Sequence, residues 1–299
     1  MHRRRFLTAT GSALLVAACA PARTETAQQP PEPTPGTAQR PHEPAPETES
    51  PAPETPAPET ETPAPETTEA APEEPPPEPT EWGLRVTGVR TRLATDEPVV
   101  ALTFDACGGR GGSGYDAQLL DGLLAAGVPA TLFINARWAR ANPGPLRRLA
   151  AEPSFELANH GTEHRPLSVT GRSAYGIAGT ASPEEVLAEV EGCQALLTQL
   201  AGRPARHFRS GTAHYDEVAV GLVQRLGLEV VNFDVLGDAG ATYAAAEVTR
   251  ALLTASGGSI VLLHMNQPGS GTARGVLDAI PRLRDRGLTF TTLGDRALA

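Results

Sequence analysis

Seven short runs rich in Val, Ile, Phe and Leu recur along the last two-thirds of the chain, and amphipathic helical patterns separate most of them. The runs are VVALTFD (99–105), ATLFIN (130–135), FELANH (155–160), HFRSG (207–211), LEVVNFD (228–234), SIVLLHM (259–265) and LTFTTL (288–293). Helical spacing covers Tyr115 to Ala126, Tyr215 to Leu226, Tyr243 to Thr254 and Gly275 to Arg286. The clearest helix opens at Ser182-Pro183-Glu184-Glu185, an N-cap serine with a first-turn proline and a glutamate three residues on, and runs to about Leu200 before Gly202. Strands alternating with helices pair in parallel through right-handed crossovers, and seven repeats favour a closed or nearly closed barrel over an open sheet. The expected fold class is therefore α/β, an irregular (β/α)7-type barrel spanning residues 83–299.

The upstream third cannot join that core. Residues 20–82 are Pro, Glu, Thr and Ala with PAPET recurring at 44, 51, 56 and 63, a composition that buries nothing and reads as a disordered linker. Roughly 60 residues at about 3.1 Å each reach on the order of 190 Å, enough for a domain that works at a distance from its anchor. Residues 1–19 carry Arg3-Arg4-Arg5-Phe6-Leu7, a twin-arginine export pattern, and Leu15-Val16-Ala17-Ala18-Cys19, a lipoprotein box that would lipidate Cys19. An ordinary secretory signal cut after Ala20 is the alternative. The expectation is an exported chain held by a lipid anchor on the outer side of a bacterial membrane.

The net charge of −10 belongs to the linker. Residues 21–82 hold fourteen Glu against two Arg, leaving 21 acids and 20 arginines from residue 83 onward, so the folded part offers no basic face for nucleic acid. With Cys19 assigned to lipid, Cys107 and Cys193 remain. An exported pair can form a disulfide, but one sits in a glycine loop and the other inside an expected helix.

Asp105, His160, Arg209, Asp234 and His264 all fall at or just past the C-terminal ends of expected strands, the edge on which β/α barrels build their sites. Singly, each is more often a cap or a satisfied loop hydrogen bond. Five on one rim point to a site. His160 and His164 lie four apart in a turn after a strand, where two imidazoles can face one cation. The glycine loops CGGRGGSG and NQPGSG follow no phosphate-binding fingerprint and suit close approach to a sugar.

These residues resemble the NodB-type polysaccharide deacetylases of carbohydrate esterase family 4, over roughly residues 95–295. LTFDA, NHGTEHRPL, FRSGTAHYD, VNFDVLGD and IVLLHMN match that family's five motifs in order. The resemblance implies a NodB-like barrel in which Asp105 is the general base, His160 and His164 bind metal, Arg209 pairs with Asp105, Asp234 pairs with His264, and His264 is the general acid. It also implies oxyanion donors from backbone N–H groups around Ser210-Gly211-Thr212. Ala106 departs from the pattern, standing where the family usually has a metal-binding aspartate. Asp105 completing a set with the two histidines is the favoured repair; Cys107 or another loop acid, or weak or absent metal binding, are the others. A branch of the family with TFDACGG, FRSGTA and HMNQPGSGTA shares these departures.

The resulting expectation is a hydrolase that uses a divalent metal, zinc with cobalt or manganese as alternatives, to remove N-acetyl groups from peptidoglycan or another N-acetylglucosamine polymer. A carbohydrate-binding protein on the same barrel, its metal lost with the second aspartate, is the rival; a hydrolase of a different amide or ester is a third reading. Trp138, Tyr115, Tyr175, Tyr215 and Tyr243 are nearly all the rings available for stacking on sugar, which predicts a shallow cleft. The segment SVTGRSAYGIAGTAS after the second motif suits either a lid or a substrate wall.

Overall fold

The computed structural model describes residues 77–299; the export pattern, Cys19 and nearly all of the linker lie outside them. Eight parallel strands form one sheet: β1 (Val99–Ala106), β2 (Ala130–Ile134), β3 (Phe155–Asn159), β4 (His207–Phe208), β5 (Glu229–Val230), β6 (Val235–Leu236), β7 (Ile260–His264) and β8 (Thr289–Thr291). Their order is β5-β4-β3-β2-β1-β7-β6, with β8 pairing the first half of β1. The fold is the irregular (β/α) barrel that the strand and helix alternation predicts. Among the described residues no helix is long and apolar enough to cross a membrane.

Six of the seven expected strands form singly. The run LEVVNFD forms only the short β5, which pairs β4; β6 begins just past the run and pairs β7 at the other end of the sheet. Residues 231–234 carry the chain from one end to the other, with the Val231 N–H donating to Phe208 O and the Asp234 N–H to Ile260 O. A single stretch of backbone thus spans the gap that a full ladder would otherwise fill.

Helices cover the sheet. The expected ones appear as α1 (Ala117–Ala125), α4 (Pro183–Ala201), α5 (Glu217–Arg225), α6 (Ala245–Leu252) and α7 (Thr272–Asp285). Ser182 caps α4 by accepting from the Glu185 N–H, and Gly202 ends it at φ 75°, a left-handed conformation that glycine adopts without steric cost. Two helices were not expected, α2 (Ala136–Ala141) and α3 (Pro143–Ala151). They are short, and Pro143 and Pro145 interrupt the periodicity that would reveal them.

Alternation along β1 decides what each of its side chains faces. Val100, Leu102, Phe104 and Ala106 belong to the core between sheet and helices, whereas Val99 and Ala101 point into the barrel with Phe133, Ala158 and Ile260. Thr103 and Asp105 continue that inner row, and both bind Arg209.

The barrel's other mouth is held by a partly buried carboxylate. Glu156 accepts from Thr131 Oγ1 at 3.0 Å, the Gly294 N–H at 2.8 Å and His207 Nδ1 at 2.8 Å. Burial alone would raise this carboxyl, but the His207 hydrogen bond and charge, with the Gly294 and Thr131 donors, hold it below its ordinary value. A depressed carboxyl stabilises the fold above its unfolded pKa and loses that contribution as the pH falls through the folded one. Glu156→Gln should therefore lower the urea midpoint at neutral pH, by about 1–3 kcal/mol of stability. The gap from wild type should close on acidification below about pH 4; a gap that persists at low pH would refute the assignment.

Candidate active site

The inner row of β1 ends in a buried ion pair. Arg209, fully buried just after β4, donates to Asp105 Oδ1 at 2.8 Å and to Thr103 Oγ1 at 3.0 Å through one nitrogen. Its remaining donors reach Val231 O at 3.1 Å and Asn232 O at 3.0 Å, and its guanidinium lies 4.1 Å from the centre of the Phe133 ring. Burial would raise the Asp105 carboxyl; the charges of His160, Arg209 and His264 outweigh it and hold the group below its usual range. Asp105 is therefore ionised, with Oδ2 not held by Arg209.

Three further groups converge beside it. His160 is buried, and its Nδ1 lies 2.9 Å from the carbonyl oxygen of Arg209. A carbonyl only accepts, so Nδ1 carries a proton. Burial would lower this imidazole, but the charge of Asp105, whose Oδ2 lies 3.6 Å from Nε2, raises it. His164, at φ 64°, lies edge-on to His160 with ring centroids 4.9 Å apart, and its Nε2 is buried without a partner. Cys107 Sγ lies 3.8 Å from His160 Nε2. One donor atom from each of Cys107, His160 and His164 lies within 4.8 Å of the others, a fit for a cation with a taste for sulfur and nitrogen.

Cys107, one of the expected substitutes for the missing aspartate, thus lies with the two histidines, while Asp105, the favoured one, stands beside them with Oδ2 3.6 Å from His160 Nε2 and Oδ1 held by Arg209. Ala106 faces the outer core. Burial would raise the Cys107 thiol, but hydrogen bonds with His160, His164 and His264 hold it well below the ordinary thiol range. Cys193, by contrast, sits in α4 with its thiol donating to Ile134 O, and burial pushes it up to about 12. Both cysteines are free, so no bridge joins them.

The expected partner of the acid is corrected by the structure. His264 does not pair with Asp234. Its Nδ1 lies 2.9 Å from Asp238 Oδ1, and Asp238 Oδ2 accepts from the His264 N–H at 2.7 Å and from Thr272 Oγ1 at 2.9 Å. Asp234 instead binds Arg92, Ser259 Oγ and the Ile260 N–H. It precedes β6, at the start of the adjoining β7, whereas Asp238 follows β6 on the C-terminal edge. Asp238 was within VNFDVLGD all along, hidden by the reading of 228–234 as one strand. Burial would lower His264, but the Asp238 hydrogen bond, with contributions from Cys107, holds it well above the usual imidazole range.

Asp105, His164, His264, Gly211 and Thr212 line one cleft of about 430 Å³. Gly211 lets the third-motif loop close on the second: a Cβ there would lie 2.4 Å from His164 Cγ. The His160–His164 turn is braced from α4 by Glu189, a buried carboxylate that accepts from the Glu163 N–H at 2.9 Å and the Arg165 N–H at 3.1 Å. Glu189→Ala should orphan these amides, costing about 1–3 kcal/mol, and should weaken cation binding about 10- to 100-fold by calorimetry. Unchanged affinity would reduce Glu189 to packing.

The comparisons agree with this geometry. The polysaccharide deacetylase family model matches residues 92–231. A chitooligosaccharide deacetylase of Sinorhizobium fredii is 28% identical over 68% of this chain and 93% of its own length. A bifunctional xylanase/deacetylase of Pseudobutyrivibrio xylanivorans is 25% identical over 67% of this chain, which spans only 30% of that relative. The fold matches a family 4 carbohydrate esterase pseudoenzyme from Bacillus anthracis with a TM-score of 0.59 at 17% identity, covering 69% of this chain and 67% of that one. The family match over residues 92–231, the chitooligosaccharide deacetylase relative and the fold together identify a NodB-homology polysaccharide deacetylase domain of the carbohydrate esterase family 4 type in this chain.

Proposed function

We propose that the chain is a metal-dependent N-deacetylase of envelope glycans, exported and tethered through Cys19. The observation that carries this reading is the pair of opposed proton carriers on one cleft, Asp105 kept ionised by Arg209 and His264 kept protonated by Asp238. Peptidoglycan or another N-acetylglucosamine polymer suits an outward-facing domain on a long tether.

His160, His164 and Cys107 would hold the metal. A thiolate with two imidazoles favours zinc or cobalt over manganese. Bound there, the metal would supply Lewis-acid polarisation of the acetamide carbonyl and activation of water. Asp105, through Oδ2, accepts the proton of the attacking water. Backbone N–H groups of Gly211 and Thr212 are the candidates for the developing oxyanion. His264 gives its proton from Nε2 to the departing amine as the C–N bond breaks, and Asp238 stabilises the imidazolium until then. Water and amide are consumed; acetate and amine leave.

Ala106 favours the rival, a glycan binder without chemistry, and the same assay decides between them. The intact chain, stripped with chelator and reloaded with zinc or cobalt, should release acetate from chitin oligomers only when loaded. Asp105→Asn and Asp238→Asn should each lose about 10²- to 10⁴-fold in kcat, with Asp234→Asn far milder. The cobalt form should show a sulfur-to-cobalt charge-transfer absorption that Cys107→Ser abolishes. Glycan binding without acetate under any metal would establish the rival; cobalt bound without that absorption would remove Cys107 from the set. Cys19→Ala should move the chain from the membrane to the soluble fraction, and no change in its distribution would refute the anchor.

A further inference from the structure

Four of the five rings that the sequence offers for stacking on sugar are otherwise engaged. Trp138 is fully buried and donates to Gly114 O, and Tyr215 is fully buried between the Ser210 N–H and Asn232 Oδ1. Tyr115 lies against Trp138 and Arg148, and Tyr243 packs on the main core. Tyr175 alone is 77% exposed, and it lines the cleft that holds Asp105 and His264.

Its setting is built. Tyr175 sits at φ 53° in the tip of a hairpin closed by Ala174 and Ile177, a left-handed conformation uncommon for a bulky residue. Its ring stands edge-to-face on His214, with centroids 5.1 Å apart, and His214 lies 5.9 Å from Trp82. Trp82 is fixed from both sides. The Arg172 guanidinium covers it at 5.6 Å, and the adjoining residues are bound by Glu217, which accepts from the Glu81 N–H, and by the Gly83–Tyr215 bridge. Leu84, Ile177 and Leu236, each more than a third exposed, continue this apolar rim along the cleft. Exposed apolar groups gathered beside a polar site mark a ligand surface rather than a core.

We propose that Tyr175, backed by His214 and Trp82, is the platform for a second pyranose ring of the glycan, next to the one whose acetamide reaches Asp105 and His264. The C–H face of a pyranose is apolar and flat, and an exposed ring supported by two others presents a matching surface at little entropic cost. The segment SVTGRSAYGIAGTAS is thus a substrate wall, and the chain selects polymers over single sugars. This inference rests on the glycan reading of the cleft.

The test is a titration of the intact chain with chitin oligomers of increasing length, followed by calorimetry and tryptophan emission, with acetate measured in the same samples. Trp138 is buried, so Trp82 should report binding, and Trp82→Phe should silence the signal. Tyr175→Asn removes the ring while tolerating the left-handed backbone. It should bind the longer oligomers about tenfold more weakly and the monosaccharide unchanged, with Tyr175→Phe restoring wild-type affinity. Equal affinity of wild type and Tyr175→Asn for long oligomers would overturn the platform, as would no binding of any oligomer. Weakened binding in Tyr175→Asn without acetate from any sample would uphold the platform and sink the deacetylase; acetate release with the same KM in both would do the reverse.

Discussion

The buried pair of Arg209 and Asp105 is the constraint on which the rest of the site depends. A guanidinium with no solvent must be satisfied by the protein, and here a carboxylate, a threonine hydroxyl and two carbonyls on either side of the barrel do so. Those contacts join β1 to the loop after β4 and to the crossing segment at 231–232, which are far apart in sequence. Breaking one partner of such a pair costs about 3–5 kcal/mol because the other charge stays buried. The same pair keeps Asp105 ionised, so the element that fixes the barrel's inner geometry also sets the charge of the proposed base.

A second consequence follows from the crossing at 231–234. Because β5 and β6 lie at opposite ends of the sheet, the segment between them passes from the rim side of one strand to the starting end of the next. Asp234 falls just before β6 and anchors the crossing to Arg92 and Ser259. Asp238 falls at its end and reaches His264. Two aspartates four residues apart are thereby divided between a structural and a chemical position by one turn of topology.

Pairing a thiol with the two histidines changes what the loss of the second aspartate means. In a strand that alternates inward and outward, position 106 belongs to the outer core, where Ala106 is fully buried. The glycines that follow let the chain turn so that Cys107 returns to His160. A candidate donor group can therefore move by one residue in sequence while staying near the same histidines in space.

The sequence by itself determined the alternation of strands and helices, the capped α4, and the polar residues gathered on one barrel edge. Local periodicity and strand-end placement encode these within a few residues. It also offered the chemical groups now found around the site, including Cys107 and Asp238, since both stood inside quoted motifs. Only the tertiary structure decided which of them pair. The partner of His264 depends on where the chain crosses the sheet, the third donor beside the histidines on which face of β1 each residue occupies, and the one available ring on what covers Trp138 and Tyr215. Each is settled by contacts between segments tens to more than a hundred residues apart, which no local pattern records.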